Sequence, residues 1–129
     1  MKIIVDGIGE KRLDGRMFVA KGGEGSIYVS QGVAYKICEP GKAIPESKIA
    51  ELAVLTDPRI IKPERLIYND RQQQIGYTMR AVKAPWTPCH VFPRDFMTDN
   101  KLTHDDIAVW ALKLREIVSH AHQHDILLV

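Results

Sequence analysis

The sequence predicts an α+β fold: a five-stranded antiparallel sheet with one inserted helix, followed by a long C-terminal helix. Three observations predict it. The first half of the chain is a succession of short β-rich runs separated by Gly, Asn and Asp. Residues 46–55 interrupt that succession with apolar residues at helical spacing. Residues 103–124 carry one apolar stripe at steps of three and four.

Residues 2–5 are a brief β-rich run, and Gly7, Gly9, Asp14 and Gly15 then punctuate the chain. Residues 16–20 alternate polar and apolar, as a half-buried strand does, until Gly22, Gly23 and Gly25 break the pattern. Residues 26–30 and 33–38 are two more strands, joined at Gln31-Gly32, where glycine supplies a positive φ without steric cost. Pro40, Gly41 and Pro45 make a linker. Ile49, Leu52, Ala53 and Leu55 then mark the helix over 46–55, with Pro45 suited to its first turn. Pro58 and Pro63 end that region, and residues 64–69 and 74–82 read as strands around Asn69-Asp70-Arg71. Pro85, Pro88 and Pro93 predict a loop over 83–100 with at most one short helical turn. Thr103 followed by Asp106 reads as a capping box with Asp in place of Glu. Behind it Ile107, Trp110, Ala111, Leu114, Ile117, Val118 and Ala121 form the stripe of the last helix. The chain closes on an apolar tail over 125–129 with strand propensity. Three segments result: a sheet-bearing lobe over 1–82, a proline-rich connection over 83–102, and the helix with its tail over 103–129.

Bulk composition excludes several classes. The 129 residues suit one domain, and the net charge of +2, with acids and bases interspersed, argues against a nucleic-acid partner. Two cysteines, Cys38 and Cys89, make neither a metal motif nor a disulfide framework. The apolar run at Ile3, Ile4 and Val5 meets Asp6 and Gly7 at once, so no signal peptide is predicted, and no stretch suits a membrane span. The expected location is the cytoplasm. His120 and His124 are four apart and share a helix face, and with Cys89 or His90 they offer Zn²⁺ ligand types. A polar helix end favoured by the helix dipole explains them without a metal, and no metal site is assigned.

The stretch that carries chemistry is Ala20-Lys21-Gly22-Gly23-Glu24-Gly25-Ser26-Ile27-Tyr28-Val29. Glycines between two strands let backbone N–H groups approach phosphate oxygens. Val33-Ala34-Tyr35-Lys36-Ile37 follows, with one lysine inside an apolar run. Such a lysine either sits on the wet face of a strand or reaches phosphates under the glycine loop. The pattern resembles the protein-kinase family, whose Gly-rich loop is followed by a V-A-I-K strand. In that resemblance Gly22 and Gly25 fall on the second and third loop glycines, with Gly23 between them, and Ala20 replaces the first. Ile27 and Ala34 take the adenine-contacting positions, and Lys36 that of the lysine pairing with the α- and β-phosphates. Glu51, with Glu46 as runner-up, takes the place of the helix glutamate that pairs with this lysine. Asp57-Pro58-Arg59-Ile60-Ile61 resembles the turn into the fourth strand. Within 76–82, Met79 stands at the gatekeeper position and the backbones of Arg80 and Val82 at the hinge. Methionine there also serves as plain core filling.

The last helix resembles the first large helix of the kinase C-lobe. In that register Leu128 and Val129 stand where the His and Arg of H-R-D would be, and the catalytic Asp, the Mg-binding Asn and D-F-G are not in the sequence. The resemblance therefore implies ATP as a weakly held ligand, no Mg²⁺ without its ligands, and no phosphoryl transfer by this chain alone. Three function classes follow: a degenerate kinase-like ATP-binding or regulatory module, a fragment of an active Ser/Thr kinase, or an unrelated small α+β interaction protein. An uncovered stripe of seven apolar side chains is rare on monomers. The expected partner is a second copy, in a homodimer or helix swap through 103–124, or another protein.

Overall fold

The computed structural model describes residues 1–83 and 85–127. The expected tail residues Leu128 and Val129 lie outside them. The chain forms two compact units, Met1–Ala81 and Val82–Val129.

The first unit holds one sheet of seven strands: β1 Lys2–Val5, β2 Gly9–Arg12, β3 Phe18–Gly22, β4 Gly25–Ser30, β5 Val33–Cys38, β6 Arg65–Tyr68 and β7 Gln74–Arg80. Their order is β2-β1-β6-β7-β5-β4-β3, and every neighbouring pair is antiparallel. This corrects the expectation of a five-stranded sheet. The two additional strands are a hairpin, β1 and β2, added beside β6. Its outer strand is Gly-Glu-Lys-Arg, which carries no apolar residue and so gives no alternation to read. An edge strand needs no second apolar face, and its charges discourage pairing with other chains. Lys2 and Glu10 bridge the hairpin at 2.7 Å.

Other boundaries move for local reasons. Asp14 accepts a hydrogen bond from the Arg16 N–H at 2.8 Å and caps a 3-10 turn over Gly15–Met17, so β3 begins at Phe18 rather than at residue 16. Helix α1 spans Glu46–Leu52, with Leu55 buried in the segment behind it. Strand β7 ends at Arg80, two residues before the expected limit.

Ile3, Val5, Leu13, Tyr35 and Ile67 make the buried core. Cross-strand register explains the grouping. Val5 stands opposite Ile67, Ile67 opposite Gly76 and Gly76 opposite Ile37, so the pleat sends these positions to one face. Tyr28, Val33, Ile37 and Ile75 pack against the same cluster.

The second unit contains α2 Pro88–Val91, α3 Arg94–Asp99 and α4 His104–Gln123. The two short helices correct the expected loop over 83–100. Pro88 opens α2 and Pro93 is the N-cap of α3, positions where a missing N–H costs nothing. At α4 the capping box is complete: Thr103 Oγ1 accepts from the Asp106 N–H at 3.2 Å, and Asp106 Oδ2 accepts from the Thr103 N–H at 2.8 Å. The Thr103 N–H, and after it the Thr103 hydroxyl donating to the same Oδ2 at 2.8 Å, hold the Asp106 carboxyl below the usual carboxylate range. Among the described residues no helix is long and apolar enough to cross a membrane.

Ile67 is fully buried at the junction of β1, β6 and β7. Ile67→Ala is expected to cost about 2–5 kcal/mol, read as a lower denaturant midpoint at unchanged slope.

Candidate functional site

Opposite positions in an antiparallel ladder point to the same face. Ile27 stands opposite Lys36 and Lys36 opposite Tyr77, while Val29 stands opposite Ala34 and Ala34 opposite Met79. Ile27, Ala34, Lys36 and Met79, all singled out from the sequence, therefore share one face of the sheet. Val29, Tyr77 and Cys38 join them there. This face is the reverse of the one carrying Tyr35, Tyr28 and Ile37 to the core.

The glycine hairpin reaches that face through the Glu24 side chain. Gly22 pairs with Gly25, and only Gly23 and Glu24 lie between β3 and β4. Gly25 has φ +153°, and a methyl group on it would run into the Ile37 carbonyl and lie 2.9 Å from the Cys38 Cα. On the other side of β5, a methyl group on Gly76 would meet the Lys36 carbonyl. The backbone bearing Lys36 is thus approached closely from both neighbouring strands, each time by a residue without a side chain. A methyl group on Gly22 or Gly23 would meet nothing within 4 Å.

Lys36 does not pair with helix α1. Its Nζ donates to Glu24 Oε2 at 3.1 Å and lies 5.6 Å from the centre of the Tyr77 ring. Glu51 instead bonds Lys48 at 2.9 Å, three residues away on its own helix. Burial acts to lower the Lys36 pKa, but the hydrogen bond it donates to Glu24 and the influence of Tyr77 together outweigh it and leave it raised. The amine is therefore an ammonium at neutral pH. Its side chain is 21% exposed whereas that of Glu24 is 72% exposed, so the carboxylate is the solvent-facing member of the pair. The hairpin is tied down behind this contact: the Glu39 N–H donates to the Glu24 carbonyl at 2.9 Å, and Lys21 meets Glu39 at 3.2 Å. Burial raises the Cys38 thiol, with Lys36 acting to lower it.

At the far end of β7, Arg80 pairs with Val33 and its guanidinium donates to the Pro58 carbonyl at 2.6 Å. The Ala81 N–H donates to the Gly32 carbonyl at 2.9 Å. Val82 opens the second unit and is exposed. Family models, curated proteins and solved structures gave no match to this chain.

The partners that sequence reasoning missed are Glu24 and Tyr77. Glu24 was visible as the only acid in the hairpin, yet its contact with Lys36 follows from the register of β4 on β5, which no single segment reveals. Among the described residues no group of three or more His, Cys, Asp or Glu side chains is arranged to hold a metal ion. His120 and His124 lie with ring centres 4.6 Å apart and planes tilted by 49°, and His124 Nδ1 meets the His120 carbonyl at 2.9 Å.

The second unit has an apolar cavity of about 430 Å³, lined by Trp86, Val91, Phe92, Ile107, Trp110, Ala111 and Leu114. Part of the α4 stripe thus meets side chains from the proline-rich segment, while Trp110 and Leu114 stay exposed.

Gly25→Ala is expected to destabilise by about 1–3 kcal/mol because the clash is with backbone rather than with a flexible side chain. Gly23→Ala, in open space, is the control expected to change little. Chemical denaturation of both variants checks the difference.

Proposed function

We propose that the Lys36 face of the sheet binds an adenine nucleotide, as a degenerate protein-kinase-like module without phosphotransferase activity of its own. The observation that carries this reading is the meeting of Lys36 with the glycine hairpin over an apolar wall of Ile27, Val29, Ala34 and Met79. The wall suits a purine face, and an ammonium at its end suits phosphate oxygens. Met79 and Ala34 lie side by side across the ladder, away from the hairpin, where the base would sit. Lys36 and the hairpin mark the phosphate end.

The reading does not depend on Glu51, which is engaged with Lys48. A lysine held by a hairpin carboxylate is charged and oriented without a helix partner. The acid in this arrangement, Glu24, is engaged with Lys36, and the reading assigns it no role as the base for an acceptor hydroxyl that phosphoryl transfer requires. Binding without transfer is therefore the proposed activity. The two free thiols, Cys38 and Cys89, fit a reducing compartment, and the proposal includes a cytoplasmic location.

ATP at about ten times its dissociation constant stabilises a protein by about 1.4 kcal/mol. For a domain of this size that is a rise in Tm on the order of 5 °C or more. Differential scanning fluorimetry is expected to show that rise for the unaltered chain and none for Lys36→Ala. Equal shifts in both proteins would rule the reading out.

A further inference from the structure

We infer that Glu24 is a built-in competitor for the phosphate position: its carboxylate holds Lys36 in the empty site, and a nucleotide binds by displacing it. This rests on the proposed nucleotide site and names how that site is regulated. Three observations carry it. The Glu24 Oε2 sits 3.1 Å from Lys36 Nζ, the place a phosphate oxygen would take. Glu24 is the solvent-exposed member of the pair and so free to leave, with its side chain 72% exposed and that of Lys36 21% exposed. And the carboxylate belongs to the hairpin itself, in a connection of two residues between β3 and β4 whose Gly22 and Gly25 are paired.

The chemistry is an exchange of anions. A carboxylate and a phosphate are both charged acceptors for an ammonium, so the two cannot share its best donor direction. A phosphate entering beside Glu24 would also meet like charge. Displacement is within reach because the glutamate side chain is solvated on leaving, and exposed ion pairs contribute little. The rest of the hairpin keeps its place through the Glu39 to Glu24 backbone bond and the Lys21–Glu39 pair, neither of which uses the Glu24 carboxylate. The device discriminates by charge: a ligand without phosphate does not need Lys36 and leaves the pair closed.

Isothermal titration of the full chain with ATP and, separately, with adenosine tests this in the unaltered protein, Glu24→Gln and Lys36→Ala. Glutamine keeps the size and polarity and removes the charge. The expected result is about fivefold tighter ATP binding by Glu24→Gln, no comparable gain for adenosine, and loss of ATP binding in Lys36→Ala. Unchanged or weaker ATP binding in Glu24→Gln, with Lys36→Ala still deficient, would overturn the competitor role and leave the nucleotide site standing. The same fivefold gain for adenosine would also overturn it, because the effect would then not act through phosphate. ATP binding that survives Lys36→Ala, or is absent from all three proteins, would overturn the site and this inference together.

Discussion

The site depends on how closely three strands approach at Lys36 and Ile37. Gly25 of β4 and Gly76 of β7 press on that short piece of β5 from opposite sides, and a methyl group at either would strike a backbone carbonyl. Backbone cannot rotate away as a long side chain can, so these contacts fix the lateral position of β5. The position fixes the register, and the register decides which side chains face which way. A slip by one residue would send Lys36 into the face now filled by Tyr35 and Ile67 and would bring Tyr35 beside the hairpin. The buried core on the reverse face opposes that slip, since it would carry Tyr35 away from Ile3, Val5 and Ile67 and bring a charged lysine among them. Core and site are thus two consequences of one register.

Much of this was legible in the sequence, and the gaps have physical causes. The turn at Gln31-Gly32 and the runs flanking it carry strong local signals, and β4 and β5 lie over Gly25–Ser30 and Val33–Cys38. The capping box at Thr103 and Asp106 was readable because it is contained in four consecutive residues. Strand β2 was not, because a charged edge strand has no periodicity to show. The helices of 88–99 were hidden by prolines, which break a helix from inside but start one at its first turn. The partner of Lys36 was misjudged for a different reason. Glu51 is chosen by analogy with a family pattern, whereas Glu24 is chosen by the fold of a two-residue hairpin, and only the paired strands reveal that the hairpin carboxylate reaches the amine first.

The second unit shows the same tension between pattern and packing. Its helix α4 carries an apolar stripe that predicts burial, and the proline-rich segment supplies part of the cover through Trp86, Val91 and Phe92. Trp86 also meets Phe96 edge to face at 5.0 Å between ring centres, so this segment is organised by aromatic contacts rather than left as a tether. The proline-rich connection thus carries α2 and α3 and lines one cavity together with α4.

The balance of charge around Lys36 bears on where binding energy would come from in the proposed nucleotide site. The ammonium already has an anion, so a phosphate gains only the difference between two similar charge-assisted bonds. The ammonium is still required, because without it the Glu24 carboxylate would face the phosphate as an unopposed like charge. The apolar wall supplies the rest of the affinity, where burying hydrocarbon surface contributes about 25 cal/mol per Å². The wall combines the small Ala34 and the unbranched Met79 with the β-branched Ile27 and Val29. A lysine already paired with a carboxylate favours a weak, readily reversible complex. Such a complex serves a module that senses a nucleotide better than one that must hold it through a chemical step.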